Sequence, residues 1–400
     1  MRRGPWHQLG DRSQRLVREQ LTAGNGVGVI VSPRDLKLEN AARYAEAYRG
    51  LGASVLCDQQ FYVPEFSNAH LESYPTSRHR VSVSDLMQID DAELAALRDD
   101  LRAVSETLAV DAILAPAVLY QGGRPDLWRL NRRLLGAARE VGAALGKPTY
   151  ATVVLARSAT SSDQTLAPVL EHVTGLPSDG WYFGFEFEPE RVPSDRAAMK
   201  RCCSAILTLA CTGRPVLHAY AGMMSPLSIG AGATGAAIGH SQNLWRFSPE
   251  RWQPPTGQGG GGDAPPRFFS RALWGTIIHP DEIAQLEAGL RARVVTPSAF
   301  SGPVTANPPQ PWSRWDANRH LLAIIGAELS RLSGMGQAKV SANAVVQLLA
   351  GAVDLHAEIR RTTGIVLADG TGLYQDNWRG AMEDLLRDLD DNYTYLEMLG

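Results

Sequence analysis

Residues 26–58 read GVGVIVSPRDLKLENAARYAEAYRGLGASVLCD, and the order of features in that stretch decides the fold. Gly26–Ser32 is short, apolar and β-branched, the composition of a strand buried on both faces. Pro33-Arg34-Asp35 turns the chain. From Leu36 to Leu51 alanines and charges interleave at helical spacing, Gly52 stops the helix, and Ala53–Asp58 (ASVLCD) forms a second buried strand. Strand, helix and strand in this order make one βαβ unit, and such units build parallel sheets with helices on their faces.

The unit repeats along the chain. Gln59–Arg80 is polar, aromatic and punctuated by proline, so it reads as a long loop. Asp90 and Asp91 open a helix with Leu94, Leu97, Leu101, Val104 and Leu108 on one face. Strands follow at Ala109–Pro116, Thr149–Ala156, Gly180–Phe187, Pro215–Tyr220 and Ala236–His240. Helices between them span Asp126–Gly146, Ser162–Thr174, a segment opened by Pro193-Ser194-Asp195 and ended by Gly213, and Ser225–Ala233. Seven or eight such units in roughly 250 residues match a closed barrel. An open doubly wound sheet would satisfy the same pattern, but no GxGxxG follows the first strand. The chain is therefore read as an α/β protein, a (β/α)8-like barrel with a helical C-terminal appendage. The eighth strand is not fixed by the pattern: Phe268–Ile278 (FFSRALWGTII) is one candidate for it, and a helix is the other reading of that stretch.

The barrel domain is placed at residues 1–294, with a mobile Gly/Pro-rich loop at 253–267 that contains Gly259–Gly262. Residues 295–400 form the mainly helical segment. Its helices are expected at Trp312–Ser333, Ser341–Thr363 and Trp378–Leu389, after a helix at Pro280–Ala292 and a Pro-rich connection at Thr296–Pro311. Their apolar stripes predict packing on the barrel, on a second copy of the chain, or on a protein partner.

Composition narrows the classes of function. The 400 residues carry a net charge of −3, 44% hydrophobic and 20% charged residues, enough for a sizeable core and no global basic field for nucleic acid. Cys57, Cys202, Cys203 and Cys211 make no CxxC pair and no disulfide framework, which points to reduced thiols. The basic start Met1-Arg2-Arg3 lacks the apolar run of a signal peptide, and no segment has the apolar length of a membrane span. A cytoplasmic protein without membrane contact is the expectation.

In a parallel barrel the ends of the strands and the loops after them converge on one mouth, so polar residues there are the candidates for chemistry. Asp58 leaves strand Ala53–Asp58 where a carboxylate can act as nucleophile or general base; capping the next turn is the plainer reading. Gln60 and Tyr62 follow it. Glu186 lies between Phe185 and Phe187, and Glu188 just beyond; pointing inward, Glu186 would gain an acid or base role by desolvation, while a register shift of one would turn the phenylalanines inward instead. His218 and Tyr220 lie on the next strand, and Gly239, His240, Gln242, Asn243 and Arg246 at the end of the one after. Catalysis is assigned to Asp58, Glu186 and His240, and substrate binding to Gln60, Tyr62, His218, Tyr220, Gly239, Gln242, Asn243 and Arg246. Trp245, Arg246 and Arg251 suit stacking and phosphate contact, though such runs also decorate surfaces. The glycine-dense stretch Gly230–His240 could bring backbone amides close to a phosphate or simply pack tightly. No cofactor is assigned; Asp58, Glu186, His218 and His240 would together suit a divalent metal, although their spacing does not demand one.

These strand ends resemble those of the tRNA-guanine transglycosylase-like barrels, including the DNA-acting relatives. GASVLCDQQF (Gly52–Phe61) is similar to the family strand that ends in its nucleophilic aspartate, HAYAG (His218–Gly222) to the late strand ending in glycine at the base pocket, and Gly232–Phe247 to the final strand and its loop. The resemblance spans residues 26–280. It implies base exchange or removal in nucleic acid, a pentosyl transfer, with Asp58 as nucleophile and a nucleobase-containing partner. Gln59 and Gln60 stand where the family carries glycines, and its cysteine-rich zinc motif has no counterpart here. Two other readings remain open: a small-molecule barrel enzyme, with or without a metal, and a non-catalytic barrel that contacts partners through its C-terminal helices.

Overall fold

A computed structural model describes residues 1–187, 190, 192–253, 266–277, 279–306, 308, 310–367 and 372–391. Eight parallel strands surround the core in the order β3-β2-β1-β8-β7-β6-β5-β4: β1 (Gly4–Gln8), β2 (Gly28–Val31), β3 (Ser54–Cys57), β4 (Ile113–Leu114), β5 (Thr149–Leu155), β6 (Gly180–Phe185), β7 (Val216–His218) and β8 (Gly235–Ile238). The ladder is open only between β3 and β4. That seam is held by the Asp111 amide donating to the Val55 carbonyl at 2.9 Å and by the Val55 amide donating to the Asp111 carboxylate at 2.6 Å. The barrel is thus nearly closed, and helices cover its outside.

The missing strand is β1, at the start of the chain, and not Phe268–Ile278. Phe268–Ser270 (β9) and Gly275–Ile277 (β10) form a separate antiparallel hairpin, turned through Trp274 at φ 40°. Ile278 itself lies outside the described residues. β1 escapes the strand pattern because GPWHQ carries Gly, Pro and two polar residues. Pro5 is tolerated near the strand start, and its carbonyl still accepts from the Val27 amide at 2.8 Å. Trp6 fills the barrel interior, and the absence of a side chain at Gly28 makes room for it: a Cβ there would stand 2.4 Å from the indole. His7 points outward and meets the Asn25 carbonyl at 3.1 Å through Nε2.

Alternation along each strand sorts the side chains into two cores. Trp6, Ile30, Leu56, Tyr150, Val154, Tyr182, Leu217 and Ala237 point into the barrel. Val29, Val31, Val55, Cys57, Trp181, Phe183 and Phe185 face the helices outside. Asp58, one residue beyond Cys57, therefore falls on the inward register, and His218, one beyond Leu217, on the outward one.

The C-terminal helices Arg314–Ser333, Ala338–Thr363 and Leu373–Asp391 pack on one another and on the barrel wall. The first covers β1, and Gln20 donates to the Arg319 carbonyl at 3.2 Å. The second, against the expectation that no segment reaches the length of a membrane span, is long and apolar enough by composition to cross one, a test that a helix packed in a protein core also passes; its Ala342 and Val345 lie against Gly230 of helix Ser225–Gly230. The third places the Trp378 indole on the Pro193 carbonyl at 2.7 Å and Asp384 on Arg196 at 2.8 Å. The Gly/Pro-rich loop expected at 253–267 falls for the most part outside the described residues, as does Glu188.

Four buried histidines carry a consequence for acid stability. Burial pushes His7 down to about 4, His218 to about 3, His320 to about 4 and His356 to about 4. Each is neutral when folded and takes a proton on unfolding once the pH drops below the ordinary 6.5. Their contribution is complete above that value and is lost as the pH falls toward 4, at up to about 1.4 kcal/mol per pH unit for each histidine. Urea midpoints between pH 7 and 4.5 should fall steeply, and His320→Gln should flatten the slope; an unchanged slope would show that His320 is not held neutral.

Candidate functional site

Asp58 is 1% exposed, inside the barrel at the C-terminal end of β3. Its carboxylate accepts four hydrogen bonds. Oδ1 takes the Gln60 amide at 3.0 Å and the Tyr62 hydroxyl at 2.7 Å; Oδ2 takes the Tyr182 and Tyr220 hydroxyls at 3.0 Å each. Burial raises the Asp58 pKa, and the bonds from Tyr62, Gln60, Tyr182 and Tyr220 oppose that rise. Burial and the neighbouring Asp58 charge push all three phenols well above their usual range, so they serve as donors.

Two of these partners hold the left-handed backbone that side chains disfavour: Gln60 at φ 54° and Tyr220 at φ 53°. Arg80 clamps the Gln60 turn, donating to the carbonyls of Gln60 at 3.0 Å and Gln59 at 2.5 Å. The Gln60 side chain extends the network sideways. Its amide donates to Ser32 Oγ at 2.9 Å and to the Tyr220 hydroxyl at 3.3 Å, and Ser32 donates to Asp35 at 2.5 Å. Asp35 is ion-paired with Arg251, both almost fully buried.

The segment after β8 folds over this cluster. Phe247 and Trp252 pack together at 5.2 Å, and each meets Tyr62 at 5.1 Å. The Arg251 guanidinium lies 5.7 Å from the centre of the Tyr220 ring and 5.5 Å from that of Trp252. Around the cluster, Gln8 Nε2, Trp252 Nε1 and Arg251 Nε and Nη1 are buried donors with no acceptor among the described residues. Gln8 already touches the cluster through Oε1, which lies 3.4 Å from the Tyr182 hydroxyl.

Of the residues singled out from the sequence, Asp58, Gln60, Tyr62 and Tyr220 meet in this one network. The others do not join it. Glu186 sits at the rim, accepting from the Arg157 amide at 3.0 Å and pairing with its guanidinium at 3.4 Å, in a cleft of about 690 Å³. His218 points out through the wall to Ser228 at 2.6 Å and lies 5.3 Å from the Phe183 ring. His240, Gln242 and Asn243 line a third space of about 420 Å³. Arg246 is half-buried and lines neither cleft. Gly239 makes room for Leu244, which a Cβ would meet at 2.2 Å, and its carbonyl accepts from the Trp245 indole at 3.0 Å. A metal site of Asp58, Glu186, His218 and His240 is therefore not assembled, and among the described residues no group of three His, Cys, Asp or Glu could hold an ion.

The sequence reading missed Ser32, Asp35, Tyr182 and Gln8. Asp35 lies three residues past Ser32, in the Pro33-Arg34-Asp35 turn, where turn formation alone accounts for an aspartate. Tyr182 stands at the inward position of GWYFGF, which a parity count along the strand would find.

No protein-family model matches the chain, and no curated protein does. Among solved structures, a truncated 3-deoxy-D-arabino-heptulosonate 7-phosphate synthase from Thermotoga maritima is 11% identical, covering 59% of this chain and 74% of its own, at a TM-score of 0.32. An endo-1,4-beta-xylanase from Penicillium canescens is 10% identical over 62% of this chain and 85% of its own, at 0.35. The carboxyl transferase domain of Rhizobium etli pyruvate carboxylase is 10% identical over 97% and 61%, at 0.37. These are remote likenesses to TIM-barrel enzymes of different kinds; the barrel itself rests on the strand order above.

Asp58→Ala would leave three buried phenols without their acceptor and is expected to cost at least about 3 kcal/mol, whereas Asp58→Asn keeps an acceptor oxygen and costs less. Urea unfolding of the two variants should order them so. Coincident midpoints would mean that the phenols find other partners.

Proposed function

We propose that the chain is a barrel enzyme of the transglycosylase type, exchanging or removing a nucleobase in nucleic acid with Asp58 as its nucleophile. The observation that carries this reading is the position of Asp58: an inward carboxylate at a strand end, oriented by three phenols and a backbone amide. Two features add support. Gln60, standing where the resembling family has a glycine, adopts a glycine-like backbone. Gln8, Arg251 and Trp252 keep donors that no acceptor among the described residues satisfies, and the carbonyl or ring-nitrogen acceptors of a flat base would satisfy them.

In this chemistry a carboxylate oxygen of Asp58 attacks C1′, the bond to the outgoing base breaks, and an ester to the sugar forms. An incoming base or water then displaces Asp58 and restores the carboxylate. Tyr62, Tyr182 and Tyr220 hold the carboxylate in line and release one lone pair to the sugar carbon. Because Phe247 and Trp252 cover the cluster, a substrate reaches it only when the segment carrying them moves aside.

A second reading has its own observation. All four acceptor positions of the carboxylate are filled, which is what a structural clasp for the barrel mouth needs. Incubation with nucleic acid and a labelled purine base separates the two. Wild-type protein should form a denaturation-resistant adduct with the nucleic acid, and Asp58→Asn should fold yet lose both adduct and exchange by at least about a thousandfold. The attack needs the ionised carboxylate, so the acid limb of the pH–rate profile should lie above the ordinary 3.8. An Asp58→Asn variant that keeps full exchange would refute the nucleophile.

A further inference from the structure

Two guanidinium groups meet on the single carboxylate of Asp35. Arg34 Nη1 stands 3.1 Å from Oδ1, Arg251 Nη2 pairs with Oδ2, and the Ser32 hydroxyl donates to the same Oδ2 at 2.5 Å. One carboxylate balances one of the two charges. Widening the count to the whole mouth does not close the gap, since Asp35 and Asp58 stand against Arg34, Arg80 and Arg251. Asp11 and Glu250, on loops beside them, are exposed, and Asp11 is paired with Arg12. An excess cation inside a protein is costly unless an anion comes to meet it.

The unmatched donors point to the same place. Arg251 Nε and Nη1 and Arg34 Nε are buried with no acceptor among the described residues. Only 6% of the Arg251 side chain is exposed, so bulk solvent does not serve its nitrogens. Arg271 and Arg331 also share one carboxylate, that of Glu328, but their side chains are 41% and 40% exposed and open to water. The cleft beside Glu186 holds Glu190 and Asp195 as well, so its charge is mixed.

The two arginines of this pair belong to different elements. Arg34 is fixed on the turn after β2, its amide donating to Gln60 Oε1 at 3.0 Å and its carbonyl accepting from Asn68 Nδ2 at 3.0 Å. Arg251 lies in the short turn Pro249–Trp252, on the segment that covers Asp58. Its guanidinium is 5.7 Å from the centre of the Tyr220 ring, and the Tyr220 hydroxyl donates to Asp58. One aromatic ring thus separates the excess charge from the carboxylate read as the nucleophile.

We propose that Arg34 and Arg251 hold a phosphate of the substrate beside Asp58, an inference that rests on the glycosyl-transfer reading. Guanidinium groups suit this ligand because they offer paired N–H donors to phosphate oxygens. Arg251 keeps two open nitrogens, so it meets the base with one and the phosphate with the other. A single nucleotide then presents C1′ to Asp58 and its phosphate to the arginines. Because Arg251 rides on the covering segment, a phosphate gripped by both arginines draws that segment down over the substrate and excludes water.

Calorimetric titration of the full chain tests this seat with inorganic phosphate, a nucleoside 5′-monophosphate, the parent nucleoside and a short single-stranded oligonucleotide. The monophosphate should bind at least roughly tenfold more tightly than the nucleoside. Arg34→Ala should weaken it by roughly tenfold, Arg34→Lys by less, and Arg251→Ala by at least as much as Arg34→Ala. If Arg251→Ala does not fold, the two Arg34 variants decide, because that side chain is partly exposed. Arg12→Ala, at an exposed arginine, should leave the affinity unchanged. An oligonucleotide that outcompetes the mononucleotide identifies a backbone phosphate as the ligand; a mononucleotide that wins identifies a free one. Equal binding of nucleoside and monophosphate, no binding of any phosphate, or an Arg34→Ala loss no greater than that of Arg12→Ala would overturn the proposal. Phosphate binding at this seat in a protein that performs no base exchange would instead overturn the glycosyl-transfer reading alone.

Discussion

A carboxylate inside a barrel has to be answered by donors, because transferring it from water without them would cost more than the fold can spare. Asp58 is answered from around the mouth: Gln60 and Tyr62 come from the loop after β3, Tyr182 from β6 and Tyr220 from the turn after β7. Each contribution constrains its own element. The strands must keep the register that turns Tyr182 inward, and the loops must hold Gln60 and Tyr220 in a backbone conformation that neither would adopt unaided. The layer above depends on the same point, since Phe247 and Trp252 pack on Tyr62 while Arg251 lies over Tyr220. Site and fold are therefore one construction at this end of the barrel.

Much of this was legible because the relevant signals are periodic. The runs around Val29, Val55, Val153 and Phe183 are apolar on both faces, as strands in a covered parallel sheet are, and the helices between them announce their ends with Asp90, Ser162 and Asp195. Asp58 stood out by position alone. The rest hid for specific reasons. β1 contains Pro5 and the polar pair His7 and Gln8, whose burial is tolerable only because Asn25 and Tyr182 lie across from them, and no local pattern shows such partners. FFSRALWGTII has strand composition, but Trp274 turns it back on itself outside the barrel. His218 looked functional from the polar-strand-end argument and was separated from the mouth by a single step of parity.

The clefts show a division of the same kind. Polar residues close in sequence, such as His240, Gln242 and Asn243, reach a space that also requires Thr276, Arg314 and Asn318 from distant segments. Sequence proximity identified only the part of that lining between His240 and Trp245. The rest depends on how the C-terminal helices seat against the wall, which amphipathic stripes suggest only in outline.

The position of β1 between β2 and β8 bears on how the chain is made. Its first neighbour follows within a few dozen residues, but Gly4 pairs with Gly235, and the helix that covers β1 begins only at Arg314. Translation at about 5–20 residues per second leaves that flank of the strand unpaired for roughly ten to fifty seconds. For that interval a parallel edge and the large Trp6 ring are without their final neighbours, so the growing polypeptide is open to misassociation until its own later segments arrive.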